Sequence, residues 1–297
     1  MDLTALFCDI DDFVKAFEQR DTQVLISSQK SRRGGVPRMS LSELMTIIVA
    51  YHSSGFKNFK SYYYYLREHM REEFPQILSY TRFVDWIPYC LIPLCCYLDS
   101  RRGKCTGTEF VDSTPIKICH NVRINRNKVF KGLATRGKCS MGWFFGFKLH
   151  IIVNEVGDLL SFKLTRGNTD DRVPVKELCK GLFGKLYGDR GYISKKLFQD
   201  LWADGVQLIN NVRSNMKNQL LPLEDKLMLR KRFIIETIND QLKNISDIEH
   251  SRHRSPTNFM VNLIAGLISY TWQPKKPAIK MYQNDQKPLV ISSIWPN

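Results

Sequence analysis

The sequence predicts an α/β protein: a mixed five-stranded sheet flanked by helices and preceded by an all-α N-terminal region. Three patterns along the 297 residues carry this reading. Over the first hundred or so residues, apolar side chains recur every three or four positions, as they do along one face of a helix. From Gly107 the period falls to two, the spacing of a strand with alternating faces. Beyond a hairpin turn at Gly157 and Asp158, helix-like and strand-like stretches alternate, as expected where helices pack on a sheet.

Leu3, Leu6, Phe7, Ile10, Val14 and Phe17 mark a first amphipathic helix that should end before Arg20 to Thr22. Ser40 and Glu43 form a capping box ahead of Leu44 to Tyr51, and Gly55 supplies the stop. A third helix covers Phe59 to Met70. Its run Tyr62 to Tyr65 points all round the helix axis, which favours packing over a base-stacking platform. A fourth helical stretch begins near Tyr80 and should be broken by Pro88 and Pro93. The Arg-, Lys- and Gly-rich segment Asp99 to Gly107 reads as a junction. It divides an N-terminal domain of residues 1–100 from a second domain of residues 101–272, with 273–297 as a tail.

In that second domain, Glu109 to Asp112 reads as a short buried strand, Trp143 to Val153 as a long one and Leu159 to Thr165 as a third. Pro174 opens a helix to about Leu182, and Lys185 to Asp189 is the fourth strand. Ser194 caps a helix ended by Gly205, Val206 to Val212 is the fifth strand, and Lys231 to Ile245 is a helix.

Composition places the chain among ordinary globular proteins, with 43% apolar and 25% charged residues. It opens on Met1 and reads as complete. The most apolar stretches, Trp86 to Leu98 and Phe259 to Trp272, are shorter than the ~20 residues a bilayer span needs. Asp2, Asp9, Asp11 and Asp12 stand where a signal peptide would carry basic residues, so a cytoplasmic location is expected. Eight cysteines without a CxxC pair support neither a zinc site nor a disulfide framework.

The net charge of +15 is unevenly placed: residues 1–100 hold 11 Lys/Arg and 12 Asp/Glu, and the remainder 33 and 17. Ser113 to Asn154 contains Lys117, Arg123, Arg126, Lys128, Lys131, Arg136, Lys138 and Lys148 and no acidic residue. A single-sign stretch of that length repels itself unless a polyanion lies against it, which points to nucleic acid. Phe130, Trp143, Phe144 and Phe145 are interleaved, so the segment can also pack.

Two carboxylates stand at predicted strand ends, Asp112 and Asp189. Were those strands parallel neighbours, a spacing of ~4.8 Å would set the two side by side. With no His or Cys nearby, such an oxygen site suits Mg²⁺ or Mn²⁺. Glu236 is the third candidate: Arg232, Glu236, Asn239 and Lys243 line one stripe of the last helix, beside an apolar stripe of Ile235, Ile238, Leu242 and Ile245. Read singly, each acidic residue also fits a turn, a cap or an ordinary i, i+4 ion pair. Asp170 and Asp171 before Pro174 fit helix capping better than metal ligation. His120, His150, His250 and His253 are too scattered for a metal set, and Arg252, His253 and Arg254 fit a phosphate contact and a solvated turn equally well.

Asp112 on a first strand, Asp189 in Gly-Asp-Arg-Gly-Tyr, and Glu236 in Arg-x-x-x-Glu-x-x-x-x-x-x-Lys resemble the acidic triad of the DDE transposases encoded by bacterial insertion sequences. Val111 to Pro115, Lys131 to Ala134, Gly142 to His150 and Gly167 to Arg172 add to the resemblance, which runs over nearly the whole chain. One position departs: many of these enzymes carry a Tyr three residues before the Arg, where this chain has Leu229.

The resemblance implies a ribonuclease-H-like catalytic domain and an N-terminal helical domain that binds the inverted-repeat ends of an element. Asp112, Asp189 and Glu236 would hold Mg²⁺, with Mn²⁺ able to substitute. The enzyme would cleave DNA at the element ends and join it to target DNA, in the bacterial cytoplasm and nucleoid, as a homodimer or larger assembly on DNA. Arg232 and Lys243 would hold DNA phosphates near the ions, with Arg123, Arg126, Lys128 and Lys131 along the DNA. A metal-dependent nuclease of the same fold, and a noncatalytic DNA-binding remnant, are the alternatives.

Overall fold

The computed structural model describes residues 1–20, 38–212, 216, 220–249 and 253–279. The N-terminal part is helical: α1 (Leu3–Arg20), α2 (Leu41–Tyr51), α3 (Phe59–His69), α4 (Tyr80–Trp86), a 3-10 turn at Ile87–Cys90 and α5 (Leu91–Ser100). The capping box forms as the sequence predicts, with Ser40 accepting from the Glu43 N–H and Glu43 from the Ser40 N–H. Of the four tyrosines, Tyr62 and Tyr63 are buried while Tyr64 and Tyr65 face outward. Only Pro88 interrupts the fourth helical stretch. Pro93 lies in the first turn of α5, where a missing N–H removes no intrahelical hydrogen bond.

The second part follows as β1 (Thr108–Cys119), a 3-10 turn at Asn121–Arg126, β2 (Thr135–Cys139), β3 (Gly142–Asn154) and β4 (Leu159–Arg166). Then come α6 (Val175–Leu178), β5 (Gly184–Gly188), α7 (Lys195–Ala203), β6 (Val206–Asn210), α8 (Leu223–Lys231), α9 (Phe233–Asn244) and α10 (Pro256–Thr271). The sheet is mixed: β3 pairs antiparallel with β1, β1 pairs parallel with β5, and β5 parallel with β6. On its other edge β3 carries β2 beside Gly142 to Gly146 and β4 beside Phe147 to Val153. The sheet is therefore five positions wide with six strands. The sixth, β2, has the sequence Thr-Arg-Gly-Lys-Cys, which offers no apolar alternation to read. Its charged side chains suit an edge strand.

Other boundaries differ from the sequence reading as well: the first helix runs through Arg20, and the fifth expected strand ends at Asn210 and not at Val212. β1 runs to Cys119 because β3 pairs along nearly its whole length, so Asp112 lies inside the strand and not at its end. The helix after Pro174 shortens to Val175–Leu178. The helix expected over Lys231 to Ile245 is interrupted at Arg232, which joins α8 to α9 in a right-handed helical conformation with φ −56° and ψ −16°.

Alternation along the strands builds two apolar layers. Phe110, Leu149, Ile151 and Val153 pack on one face with Ile234, Ile235, Ile238 and Leu242 of α9, in a core continuous with the N-terminal helices. Their neighbours Val111, Ile152, Leu186 and Leu208 face the opposite side and pack with Val175, Leu178, Leu197 and Leu201. Helix α10 is buried along most of its length and packs against α2, α5 and α9, so the C-terminal helix completes the helical layer. At Gly146, β3 comes so close to β1 that a Cβ there would lie 2.0 Å from the Ile116 carbonyl oxygen.

His52 ties the helical layer to the loop after α9. Its ring is buried, and Nδ1 meets the Ser246 carbonyl. Burial pulls its pKa down to about 4. A histidine kept neutral in the fold stabilises above its unfolded pKa of ~6.5, and that stability is lost as pH falls toward 4. We predict that, between pH 6.5 and 4, the native chain loses roughly 3 kcal/mol more stability than a His52→Asn variant, measured by denaturant titration. Parallel pH profiles for the two proteins would show that this ring takes up its proton without opening the fold.

Candidate carboxylate site

Parallel pairing aligns Thr108 with Lys185, Glu109 with Leu186 and Phe110 with Tyr187. Two residues further along the same register come Asp112 and Asp189. The pairing stops before them, because β5 ends at Gly188 and Asp189 opens a 3-10 turn over Arg190–Tyr192. Asp189 caps that turn: its Oδ1 accepts from the Gly191 N–H at 2.7 Å, and its carbonyl accepts from Asn210 Nδ2 at 2.8 Å. The capping role and the position beside Asp112 therefore coexist.

Helix α9 brings the third carboxylate. Its apolar face rests on the sheet, which turns Asn239 toward β1 and leaves Glu236 half exposed beside Arg232. Asn239 Nδ2 donates to Asp112 Oδ2 at 3.0 Å. Arg232 bridges the acids, with Nη2 donating to Glu236 Oε1 at 2.6 Å and Nη1 lying 3.7 Å from Asp112 Oδ1. Asp112 is mostly buried while Glu236 is 58% exposed, so desolvation falls on Asp112. Desolvation raises the Asp112 pKa most, Arg232 partly offsets it, and the charges of Asp189 and Glu236 raise it further, to about 6. The three carboxylates thus belong to one electrostatic unit.

Among the described residues, no three His, Cys, Asp or Glu side chains converge closely enough to hold an ion as they stand. The donor chemistry nevertheless fits a hard divalent cation. Asp112 and Glu236 already share a cation, the Arg232 guanidinium, and the Oδ1 of Asn239 is buried beside Asp112 with no hydrogen-bond partner. Every nearby donor is oxygen, the preference of Mg²⁺ or Mn²⁺. Sequence reasoning placed Asn239 on the right stripe but missed it as the partner of Asp112; its i+3 spacing from Glu236 was the available signal.

The same stripe does not bring Lys243 to the carboxylates. Lys243 pairs with Glu249 Oε2 at 3.2 Å, and Glu249 Oε1 also accepts from the Lys117 N–H at 3.2 Å. Leu229 is buried in the core, so that position offers nothing to phosphate. Arg123 and Arg126 sit on the 3-10 turn after β1, and Lys128 and Lys131 follow it; all four are exposed, without an ion pair among the described residues. The two arginines border a cavity of 760 Å³ with His120 and His253.

Asp170 pairs with Arg172, which holds its carboxyl down to about 2, and Asp171 pairs with Lys148 at 2.9 Å; Pro174, not either acid, is the N-cap of α6. His150 is buried with Nε2 2.8 Å from Thr165 Oγ1, and His253 packs against Phe259, in keeping with packing roles. His250 and Arg252 lie outside the described residues. All eight cysteines are free thiols. Among the described residues, no helix is long and apolar enough to cross a membrane.

A family model described as the transposase DDE domain matches residues 102–256. No curated protein matches. Among solved structures, the chain is similar to the piggyBac transposase in a synaptic complex with hairpin DNA, studied by cryo-electron microscopy. The identity is 12%, over 90% of this chain and 72% of that one, with a TM-score of 0.45.

The raised Asp112 pKa has a consequence for stability. A carboxyl whose folded pKa lies near 6, above its ordinary 3.8, stabilises the fold in its neutral form below pH 4, and that stability is lost as pH rises through 6. Without divalent metal, Asp112→Asn is predicted to stabilise the chain at pH 8 by up to roughly 3 kcal/mol more than at pH 4. Denaturant titrations of both proteins at the two pH values test this; an offset that stays constant with pH would mean a well-solvated carboxylate.

Proposed function

The chain belongs to the transposase DDE domain family, and from that premise we propose that Asp112, Asp189 and Glu236 are its catalytic carboxylates, in an insertion-sequence enzyme that cuts its element's ends and joins them to target DNA. The observation that supports this reading is the β1–β5 register, whose continuation two residues past its last pair leads to Asp112 and Asp189, together with the Arg232 bridge from Asp112 to Glu236. Enzymes of this family use divalent metal ions; for this chain we propose Mg²⁺, with Mn²⁺ able to substitute. Asp112, Asp189 and Glu236 would hold the metal, which when bound helps a water or a 3′-hydroxyl attack a phosphodiester and stabilises the leaving oxygen.

The chain's own residues divide the remaining work. Asn239 orients Asp112 through its hydrogen bond, and Arg232 is placed to exchange its carboxylate partners for a DNA phosphate as the site fills. Water attack at the element end breaks one P–O bond and leaves a 3′-hydroxyl. Attack of that hydroxyl on target DNA exchanges one phosphodiester for another, with no covalent enzyme intermediate. Arg123, Arg126, Lys128 and Lys131 would follow the DNA backbone beside the site, and Lys243 would join them on leaving Glu249. The N-terminal helices would bind the terminal inverted repeats. Pairing two ends calls for a homodimer or larger assembly on DNA, in the bacterial cytoplasm at the nucleoid.

Two experiments test this reading. Asp112→Asn, Asp189→Asn and Glu236→Gln should each lower Mg²⁺- or Mn²⁺-dependent cleavage and joining of element-end DNA on the order of 100-fold or more, while DNA binding stays near normal. Cleavage that survives in one variant removes that residue from the site, and hydrolysis without joined products in the native enzyme marks a nuclease. Replacing Arg123, Arg126 and Lys128 by Ala should weaken binding to any DNA sequence and flatten the salt dependence by ~0.9 in log–log slope for each phosphate no longer neutralised. An unchanged slope would make this turn an ordinary solvated surface.

A further inference from the structure

Helix α8 is fastened to the sheet one strand step before the carboxylates. Asp225, in its first turn, is 2% exposed, and its Oδ1 accepts from Lys185 Nζ at 2.8 Å and from Tyr187 Oη at 2.9 Å. Both donors stand on β5, two residues apart and so on one face, and Asp189 follows two residues later in the same row. Tyr187 also forms the last register pair with β1: its partner is Phe110, and the two rings stack with centroids 5.5 Å apart. The Phe110–Tyr187 pair is therefore the step that precedes Asp112 and Asp189, and it carries a hydroxyl that holds α8.

The other end of α8 leads into the site. Seven residues after Asp225, or ~10 Å along a helix axis, comes Arg232, whose guanidinium bridges Asp112 and Glu236. The connections form a closed circuit: from β5 to Asp225, along α8 to Arg232, across to Asp112 on β1, and back to β5 through the strand pairing.

An apolar face alone would not fix such a strut. Met228 and Leu229 are buried, but apolar burial is non-directional and tolerates a slide or rotation of the helix. Two hydrogen bonds to one oxygen do not, because each weakens steeply as its angle departs from linear. Nor does the helix N-terminus require this acid. Glu224, exposed in the same turn and 3.6 Å from Lys185, already offers it negative charge. Burying Asp225 as well costs desolvation, which its fixed partners offset.

We propose that Asp225 is a positioning residue for the carboxylate site: held by Tyr187 and Lys185, it sets the height and rotation of α8 on β5 and thereby the reach of Arg232 and Glu236 toward Asp112 and Asp189. The proposal rests on the reading of the three acids as metal-holding, and it adds a residue that acts on them through the helix.

The test reads Mn²⁺ binding to the full chain without DNA, by electron paramagnetic resonance, beside single-turnover cleavage of element-end DNA across a Mn²⁺ titration. Tyr187→Phe, which removes one hydroxyl, should weaken Mn²⁺ binding ~10-fold, and Asp225→Ala, which removes both hydrogen bonds, ~10- to 100-fold, the span found for residues that orient metal ligands. Asp225→Asn, still able to accept from Tyr187, should fall between Asp225→Ala and the native chain. In each variant saturating Mn²⁺ should restore most of the cleavage rate, because the ligands are intact and only their placement is loosened. Ile47→Val, a small truncation in the core of α2, controls for stability and should bind Mn²⁺ as the native chain does.

Native Mn²⁺ affinity in Tyr187→Phe, an equal loss in Ile47→Val, or a cleavage defect that saturating Mn²⁺ leaves in place would overturn the proposal. Tyr187→Phe keeps it testable should Asp225→Ala not fold. Failure of the catalytic reading would look different: Asp112→Asn would itself bind Mn²⁺ with native affinity, and the proposal would fall with that reading.

Discussion

Asp112 sits in the central strand of the sheet with most of its surface out of water, and a desolvated carboxylate persists only where charge or hydrogen bonds compensate it. Beside the backbone N–H of Ser113, two compensating groups come from the α8–α9 region: Asn239 donates to one oxygen, and the Arg232 guanidinium lies near the other. The acid and the helix therefore depend on one another. Ile234, Ile235, Ile238 and Leu242 hold α9 against the sheet by apolar burial, while Asp112 gives the helix a polar anchor at one position along the strand. Glu236 inherits its position from this arrangement, one turn after Arg232 and paired to the same guanidinium.

Under the proposed function, Arg232 has two incompatible tasks. In the absence of metal it supplies the positive charge that the acids require, and its Nη1 is buried without a hydrogen bond of its own. A divalent ion would supply that charge instead and free the guanidinium for phosphate. Catalytic sites commonly trade stability for function in this way: groups arranged for a charge that arrives later are poorly satisfied before it comes. The interruption of the helix at Arg232, between α8 and α9, falls at the residue on which both tasks converge.

The basic excess of the second part is distributed unevenly over the surface. Some cations are committed to local pairs, as Lys148 is to Asp171, Lys243 to Glu249 and Arg172 to Asp170. Others stand without an acid among the described residues, notably Arg123 and Arg126 on the turn after β1 and Arg136 and Lys138 on edge strand β2. Arg123 and Arg126 follow the C-terminal end of β1, the strand that carries Asp112, and Arg136 and Lys138 line a cleft that also includes Gly191, two residues after Asp189. Behind them, α10 and the N-terminal helices form one packed layer, which makes the C-terminal helix a structural partner of the first hundred residues.

Local chemistry was legible in the sequence. The Ser40–Glu43 capping box, the Gly157 turn and the stripe of Ile235, Ile238 and Leu242 on α9 each depend on residues a few positions apart, and each forms as read, whereas Ile245, expected on the same stripe, lies past the end of α9 and is exposed. The expectation that Asp112 and Asp189 are neighbours also rested on local strand signals, and the β1–β5 register supports it. Partners set by long-range packing were not legible. Strand β2 carries no apolar alternation, because its place comes from backbone pairing with β3 and not from side-chain burial. The length of β1 beyond Asp112 depends on the antiparallel reach of β3, and Pro93 continues a helix because it falls in that helix's first turn. Helical spacing alone put Lys243 on the stripe with Glu236, but Glu249, brought close by the turn after α9, draws it into a separate pair. Periodicity determines which face a residue occupies; only the assembled fold decides which charge waits there, because Coulomb attraction and desolvation depend on distance through space and not along the chain.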